Sequence, residues 1–165
     1  MTMTNAGVMI SACLLGLRCR YDGRRARRQL QEGLVTVLGH RLIPVCPEQL
    51  GGLSTPREPM SIVGGDGYAV LAGKARVITA TGLDCTAALV RGSQEVLFLA
   101  RRLGVNRFVG QRGSPSCCCG LVSKASFSHA PVTTGVGVCA GLLAQSSIQA
   151  IDVEVFERGF QGNPG

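Results

Sequence analysis

A chain of 165 residues with 45% hydrophobic and 16% charged residues buries a sizeable core, which excludes a disordered polypeptide and suits one domain over residues 1–165. Seventeen Lys and Arg against ten Asp and Glu leave a net charge of +7, which favours an anionic partner or else serves only as a solubilising surface. The absence of tryptophan argues against generic single-strand nucleic-acid binding, which leans on aromatic stacking.

Residues 1–6 are polar and expected to be loose. Gly7 to Ala12 reads as a short buried strand followed by loop signals, with Arg20-Tyr21-Asp22-Gly23 as a turn. Leu30, Leu34, Val35 and Leu38 predict an amphipathic helix over 24–38 that ends at Gly39. Arg41 to Cys46 predicts a second strand, demoted by Pro44, and the Gly- and Pro-rich stretch 47–59 is long enough to suggest a functional loop. Tyr68 to Leu71 and Ala75 to Ile78 around Ala72-Gly73-Lys74 predict a small hairpin. Asp84 is placed to cap a long helix over about 85–103, with Cys85 on its apolar face. Arg107 to Gly110 predicts a third strand, Val136 to Leu143 a helix that buries Cys139, and Ile148 to Phe156 a closing strand, with a frayed tail from Arg158. Alternation of strands and helices gives an α/β, Rossmann-like fold: a mostly parallel sheet flanked by helices, with a small hairpin.

Eight cysteines in a chain of this size, without a basic leader, suit reduced thiols in the cytoplasm better than a secreted disulfide scaffold. The apolar run from Val8 to Leu17 is too short to span a bilayer, so no membrane partner is expected. Ile10-Ser11-Ala12-Cys13 mimics a lipoprotein cleavage box but lacks the basic start and long apolar stretch that such a box requires. The chain is organised around Gly113-Ser114-Pro115-Ser116-Cys117-Cys118-Cys119-Gly120, because three consecutive cysteines cannot all face one core. Cys13 and Cys46 also end short apolar runs, and parallel strands bring such ends to one side of a sheet, where ligands bind. Three converging thiols suit an iron–sulfur cluster, a zinc ion or thiol redox chemistry, with Cys19 as the nearest fourth ligand. A zinc-stabilised nucleic-acid module and a redox sensor built on Cys117–Cys119 are the readings from other functional classes.

The ordered motifs Ser11-Ala12-Cys13-Leu14-Leu15-Gly16, Cys19-Arg20-Tyr21-Asp22-Gly23, Cys46-Pro47-Glu48-Gln49-Leu50-Gly51-Gly52-Leu53, Thr55-Pro56-Arg57 and Ser114-Pro115-Ser116-Cys117 resemble those of the bacterial thiouracil desulfidase family over about residues 7–155. The resemblance implies a [4Fe-4S] cluster held by Cys13, Cys46 and Cys117, with one iron left for the substrate sulfur. It also implies Glu48 and Ser114 as acid–base residues beside the cluster. The chain departs from the family pattern at Cys118, commonly glycine, at Gln111, often lysine, and over Leu121 to His129, which lacks the usual Asp-Gly.

The implied reaction is non-redox hydrolysis of a thiocarbonyl, releasing hydrosulfide from thiouracil or thiouridine monophosphate. Arg20, Arg57 and Ser116 are the candidate substrate-binding residues; Arg57 otherwise braces its loop, and Ser116 and Ser114 otherwise cap the Pro115 turn. His40 and His129 are isolated and carry no assignment. Arg18, Arg20, Arg24, Arg25, Arg27 and Arg28 crowd the first loop and the expected helix start. They form either a solvated face or a phosphate-binding region, which favours the nucleotide, with thiolated RNA as a larger and less favoured partner.

Overall fold

Four short parallel strands position everything else. The computed structural model describes residues 7–122 and 133–161. Strands β1 (Val8–Ser11), β2 (Leu42–Val45), β5 (Arg107–Gly110) and β8 (Gln149–Asp152) form one sheet in the order β2-β1-β5-β8. Every pairing in it is parallel, with Met9 opposite both Ile43 and Phe108, and Val109 opposite Ile151. β2 lies at the edge, which is where a sheet accepts Pro44, a residue without an N–H to donate.

Alternate residues of the central strands feed two different cores. Met9 and Phe108 pack with Val96, Ala100 and Leu143, from helices α4 (Thr86–Leu103) and α5 (Val138–Gln145). Ile10 and Val109 face the other way, onto Leu38 of helix α1 (Glu32–Leu38) and Val153 and Phe156 of helix α6 (Val153–Gln161). The sheet is therefore covered on both faces, which explains why β1 is buried at all four positions rather than alternating.

A smaller antiparallel pair, β3 (Met60–Val63) with β4 (Arg76–Thr79), packs against α4 through a third core containing Val70, Val77 and Leu89. Two further two-residue strands, β6 (Leu121–Val122) and β7 (Thr133–Thr134), pair antiparallel.

The structure departs from the expected elements in four places. The small antiparallel unit exists, but its first strand is Met60–Val63, while Gly67–Leu71 forms helix α3 between the two strands. Asp66 caps that helix by accepting the Ala69 N–H at 3.2 Å, a start signal that outweighs the β-like run after it. Residues 24–31 are not helical; the helix begins at Glu32. Arg24, Arg25, Arg27 and Arg28 would repel one another at three- and four-residue spacing on a helix. Their segment instead runs irregularly, held by the Leu30 N–H on Leu14 O at 2.8 Å. The expected closing strand stops at Asp152 and continues as α6, where Val153 and Phe156 are buried and Val155 is 48% exposed. A strand would have buried Val153 and Val155 together. Finally, Arg158 to Gln161 belong to α6 rather than to a frayed tail. Residues 1–6, His129 and 162–165 lie outside the described residues.

Candidate active site

The crevice between the C-terminal ends of β1 and β5 is where connections leave the sheet in opposite directions, the place such sheets reserve for ligands. Three chain segments meet there. After β1 the chain winds into a 3-10 turn, Ala12–Leu15, closed by Gly16 in the left-handed conformation, and this turn carries Cys13. After β2, Cys46 precedes helix α2 (Pro47–Leu50), with Pro47 at its start and Glu48 in its first turn. α2 lies so close to α4 that a Cβ on Gly92 would stand 1.7 Å from the Pro47 carbonyl oxygen.

After β5 comes the cysteine loop. Ser114 Oγ accepts the N–H groups of Ser116 at 3.2 Å and Cys117 at 3.1 Å, which fixes the turn at Pro115. The loop is tied to the start of α5, where Val138 donates to Pro115 O at 2.9 Å and Cys139 to Ser116 O at 2.9 Å. Gly110 is required beneath it, because a Cβ there would meet the Cys117 carbonyl oxygen at 1.9 Å.

These segments line a cavity of about 340 Å³ whose wall includes Cys13, Cys19, Cys46 and Cys117. The Cys46 thiol donates to the Cys19 carbonyl oxygen at 3.9 Å. The neighbouring Cys13 thiol is the chief reason that Cys19 is pushed up to about 11. Cys46 is raised too, first by its hydrogen bond to Cys19 and then by burial, and burial pushes Cys117 up to about 12. All three carry their protons at neutral pH in this state, and a soft metal displaces such protons when it ligates the sulfur.

Within the triplet only Cys117 reaches the cavity. Cys118 is fully buried in the core beside β3, and Cys119 donates its N–H to Asp152 Oδ1 at 3.1 Å. Cys85 and Cys139 are buried in the apolar cores, as the helix periodicity predicts.

A polar network occupies one wall. Ser116 Oγ donates to Glu48 Oε1 at 3.0 Å and lies 2.9 Å from Ser114 Oγ. Glu48 Oε2 accepts from Arg57 Nε at 2.7 Å and also from Arg57 Nη2. The rest of the Arg57 guanidinium is engaged by Ser54 O, Thr55 Oγ1 and Cys19 O, the last at 2.9 Å. Arg57 therefore ties the Cys19 loop to the Glu48 carboxylate, and both side chains of the pair are nearly buried. Arg20 also lines the cavity, with a partly exposed side chain paired to Asp22 at 3.3 Å. Of the six crowded arginines it alone does so, while Arg25 bonds Gly16 O and Arg28 pairs with Glu157.

Among the described residues no three His, Cys, Asp or Glu side chains close on one point, as a mononuclear metal site requires. The thiols instead surround a space, and soft sulfur donors around a cavity of this volume suit a polynuclear iron–sulfur cluster.

The 2-thiouracil desulfurase family model matches residues 8–154, which span all three cavity segments. The chain belongs to the 2-thiouracil desulfurase family. It is 38% identical over 144 residues to the uncharacterized protein YbbK of Bacillus subtilis (strain 168), covering 87% of this chain and 93% of that protein. Its fold superposes with a TM-score of 0.80 on the solved structure of the [4Fe-4S]-dependent thiouracil desulfidase TudS, at 32% identity, covering 93% of this chain and 94% of the other.

As a desulfurase-family site, the cavity also uses residues that sequence reasoning did not assign to it. Tyr21, Met60, Gln111 and Arg112 line it. Gln111 and Arg112 follow β5 directly, and that position at a parallel strand's C-terminal end is the signal that marks them. Tyr21 and Met60 reach the wall only through tertiary packing.

Proposed function

We propose that this chain removes sulfur from a thiolated pyrimidine as hydrosulfide, with a [4Fe-4S] cluster held by Cys13, Cys46 and Cys117. The observation that carries the reading is the meeting of thiols from three separate strand ends in one cavity whose wall holds Glu48 hydrogen-bonded to Ser116. The net reaction is C=S plus water giving C=O plus hydrogen sulfide, with no electrons gained or lost. When bound, the cluster supplies a Lewis-acidic iron to the thiocarbonyl sulfur.

The chain's own residues supply the proton handling. The Glu48 carboxylate takes a proton from the attacking water, and the Arg57 guanidinium beside it holds the carboxylate oriented. Ser114 Oγ accepts the Ser116 and Cys117 N–H groups and so donates its hydroxyl to Ser116 Oγ, which in turn donates to Glu48 Oε1; the chain runs toward the carboxylate, and Glu48 returns the proton it takes from water to the departing sulfur as hydrogen sulfide forms. Ser114 thereby stands at the far, donating end of a three-residue relay, and Ser116 belongs to that chain as well as to the substrate wall. Arg20 offers a partly free cation at the wall for an anionic substrate group. Ligation needs the cavity cysteines as free thiols, which the cytoplasm maintains. Among the described residues no helix is long and apolar enough to cross a membrane.

Anaerobic reconstitution, iron and sulfide analysis, and a hydrosulfide assay with thiouracil test the reading. Four irons and four sulfides per chain, with hydrosulfide and the oxo base formed in equal amounts, are expected. Stoichiometric zinc without sulfide would overturn it.

A further inference from the structure

Four cysteines line the cavity, and Cys19 is the one without a place in the ligand set. It sits six residues after Cys13 in the loop that leaves β1. That loop is fixed at both ends. The left-handed Gly16 closes its first turn, with the Gly16 N–H on Cys13 O at 3.1 Å, and Arg57 Nη2 donates to Cys19 O at 2.9 Å. The other two cavity thiols are engaged elsewhere. Cys46 directs its thiol onto the Cys19 carbonyl oxygen at 3.9 Å, and the Cys117 sulfur lies 3.5 Å from Ser116 Oγ. The side chain that bears most strongly on the Cys19 thiol is Cys13, ahead of Cys46. Neighbouring thiols on one short, fixed loop meet the main requirement of a disulfide, and closing so short a loop costs little chain entropy. Cys13 is only half-buried at the cavity wall and Cys19 is buried, so a small oxidant in solution reaches Cys13 first.

We propose that Cys13 and Cys19 form a reversible disulfide in the cluster-free protein, which makes this loop a redox-controlled modification site. The step is thiol–disulfide exchange with a small disulfide such as oxidised glutathione. The Cys13 sulfur attacks that disulfide and breaks its S–S bond, and one glutathione leaves as a thiol. The Cys19 sulfur then attacks the mixed disulfide at Cys13, and the second glutathione leaves. The two protein thiols lose two electrons and two protons, and the oxidant gains both. The disulfide withdraws Cys13 from the ligand set until a reductant restores it, and it shields that sulfur from the irreversible steps of oxidation. That consequence rests on the desulfidase reading; the pairing does not. Cys13 engaged as a ligand is not available to the exchange.

The test treats the full cluster-free chain anaerobically with oxidised glutathione, caps the remaining thiols with iodoacetamide and maps the peptides by mass spectrometry. Wild type should lose the Cys13 and Cys19 thiols together, yield the Cys13–Cys19 linked peptides and retain no glutathione. Cys19→Ala should instead keep glutathione on Cys13, and dithiothreitol should reverse both products. Oxidised wild type should take up no cluster until it is reduced. Cluster-loaded wild type, treated alike, should show no Cys13–Cys19 link. Unreacted Cys13 and Cys19, glutathione retained on Cys13 in wild type, a link to Cys46 or Cys117 as the main product, or equal linkage in the cluster-loaded protein would each overturn the assignment. If reduced wild type takes up no iron and sulfide, the desulfidase reading fails, and the peptide map of the cluster-free chain still decides the pairing.

Discussion

The Ser116 hydroxyl donates to Glu48 Oε1 at 3.0 Å across 68 residues of sequence, joining the loop after β5 to the first turn after β2. Each residue lies one or two positions from a cavity cysteine, Ser116 beside Cys117 and Glu48 two after Cys46. Proton handling and ligation are therefore built from the same two turns. Glu48→Gln keeps the shape and one acceptor but removes the base. It should retain the cluster and lose roughly 10²-fold or more in turnover. Ser116→Ala should retain the cluster and lose less, because water can replace a hydroxyl in a relay. Visible absorbance and turnover measured on the same samples check both, and full turnover in cluster-loaded Glu48→Gln would remove it from the mechanism.

The cysteines divide by where they point. Cys13→Ser, Cys46→Ser and Cys117→Ser should each abolish the cluster's visible absorbance after anaerobic reconstitution, because a hydroxyl is a poor substitute for a soft thiolate. Cys85→Ala and Cys139→Ala remove core sulfur and should keep the absorbance while lowering the melting temperature. Cys118→Ala belongs with them, since that side chain packs beside β3. A full cluster in Cys117→Ser, with loss in Cys119→Ser, would reverse the choice within the triplet.

Arg57 is a structural tie as much as a wall residue. Its guanidinium joins Glu48, the Cys19 carbonyl and the Ser54–Thr55 segment, with 8% of the side chain exposed. Removing one partner of a nearly buried pair leaves the other charge uncompensated, at a cost of roughly 3–5 kcal/mol. A chain of this size loses roughly 2–4 °C of melting temperature per kcal/mol, so Arg57→Ala should melt about 10 °C lower. Differential scanning calorimetry of the cluster-free and cluster-loaded forms checks it, and an unchanged melting point would show that the tie contributes nothing.

Much of this site was legible because its chemistry is local. Cys13 and Cys46 each end a short apolar run, Cys117 lies in the loop that follows the strand Arg107–Gly110, and parallel pairing carries such strand ends to one side. β5 was readable at Arg107–Gly110 because β-rich residues end at a loop-forming cluster. What escaped were features decided by partners distant in sequence. Nothing local says that β4 pairs with Met60–Val63 rather than with the residues before Gly73. Nothing local says that the 24–31 segment stays irregular to reach Leu14 and Glu157, where Gln31 donates its N–H to Glu157 Oε1 at 3.0 Å. The link from Arg57 to Glu48 was hidden for a related reason. A lone arginine between two prolines reads equally as ligand-binding or as bracing until its nearest carboxylate is known.

The irregular course of residues 24–31 moves the expected phosphate contact. Without a helix start among those arginines, the helix dipole no longer favours an anion there, and Arg25 and Arg28 are bound to the chain's own acceptors. The cations left at the cavity are Arg20, part-exposed, and Arg112, exposed and directly after Gln111. Guanidinium groups pair with phosphate through parallel hydrogen bonds, each charge-assisted contact being worth roughly 1.5–3 kcal/mol. A thiouridine monophosphate should accordingly be processed at least about tenfold more efficiently than the free base at low salt, with the advantage shrinking as salt rises. Arg112→Gln should erase most of that advantage while leaving kcat/KM for free thiouracil nearly unchanged. Arg18→Gln, which changes a residue off the cavity wall, should alter neither. The comparison is kcat/KM for base and nucleotide at two salt concentrations in the three proteins. Equal efficiency on base and nucleotide, insensitive to salt, would leave Arg20 and Arg112 as solvated charge.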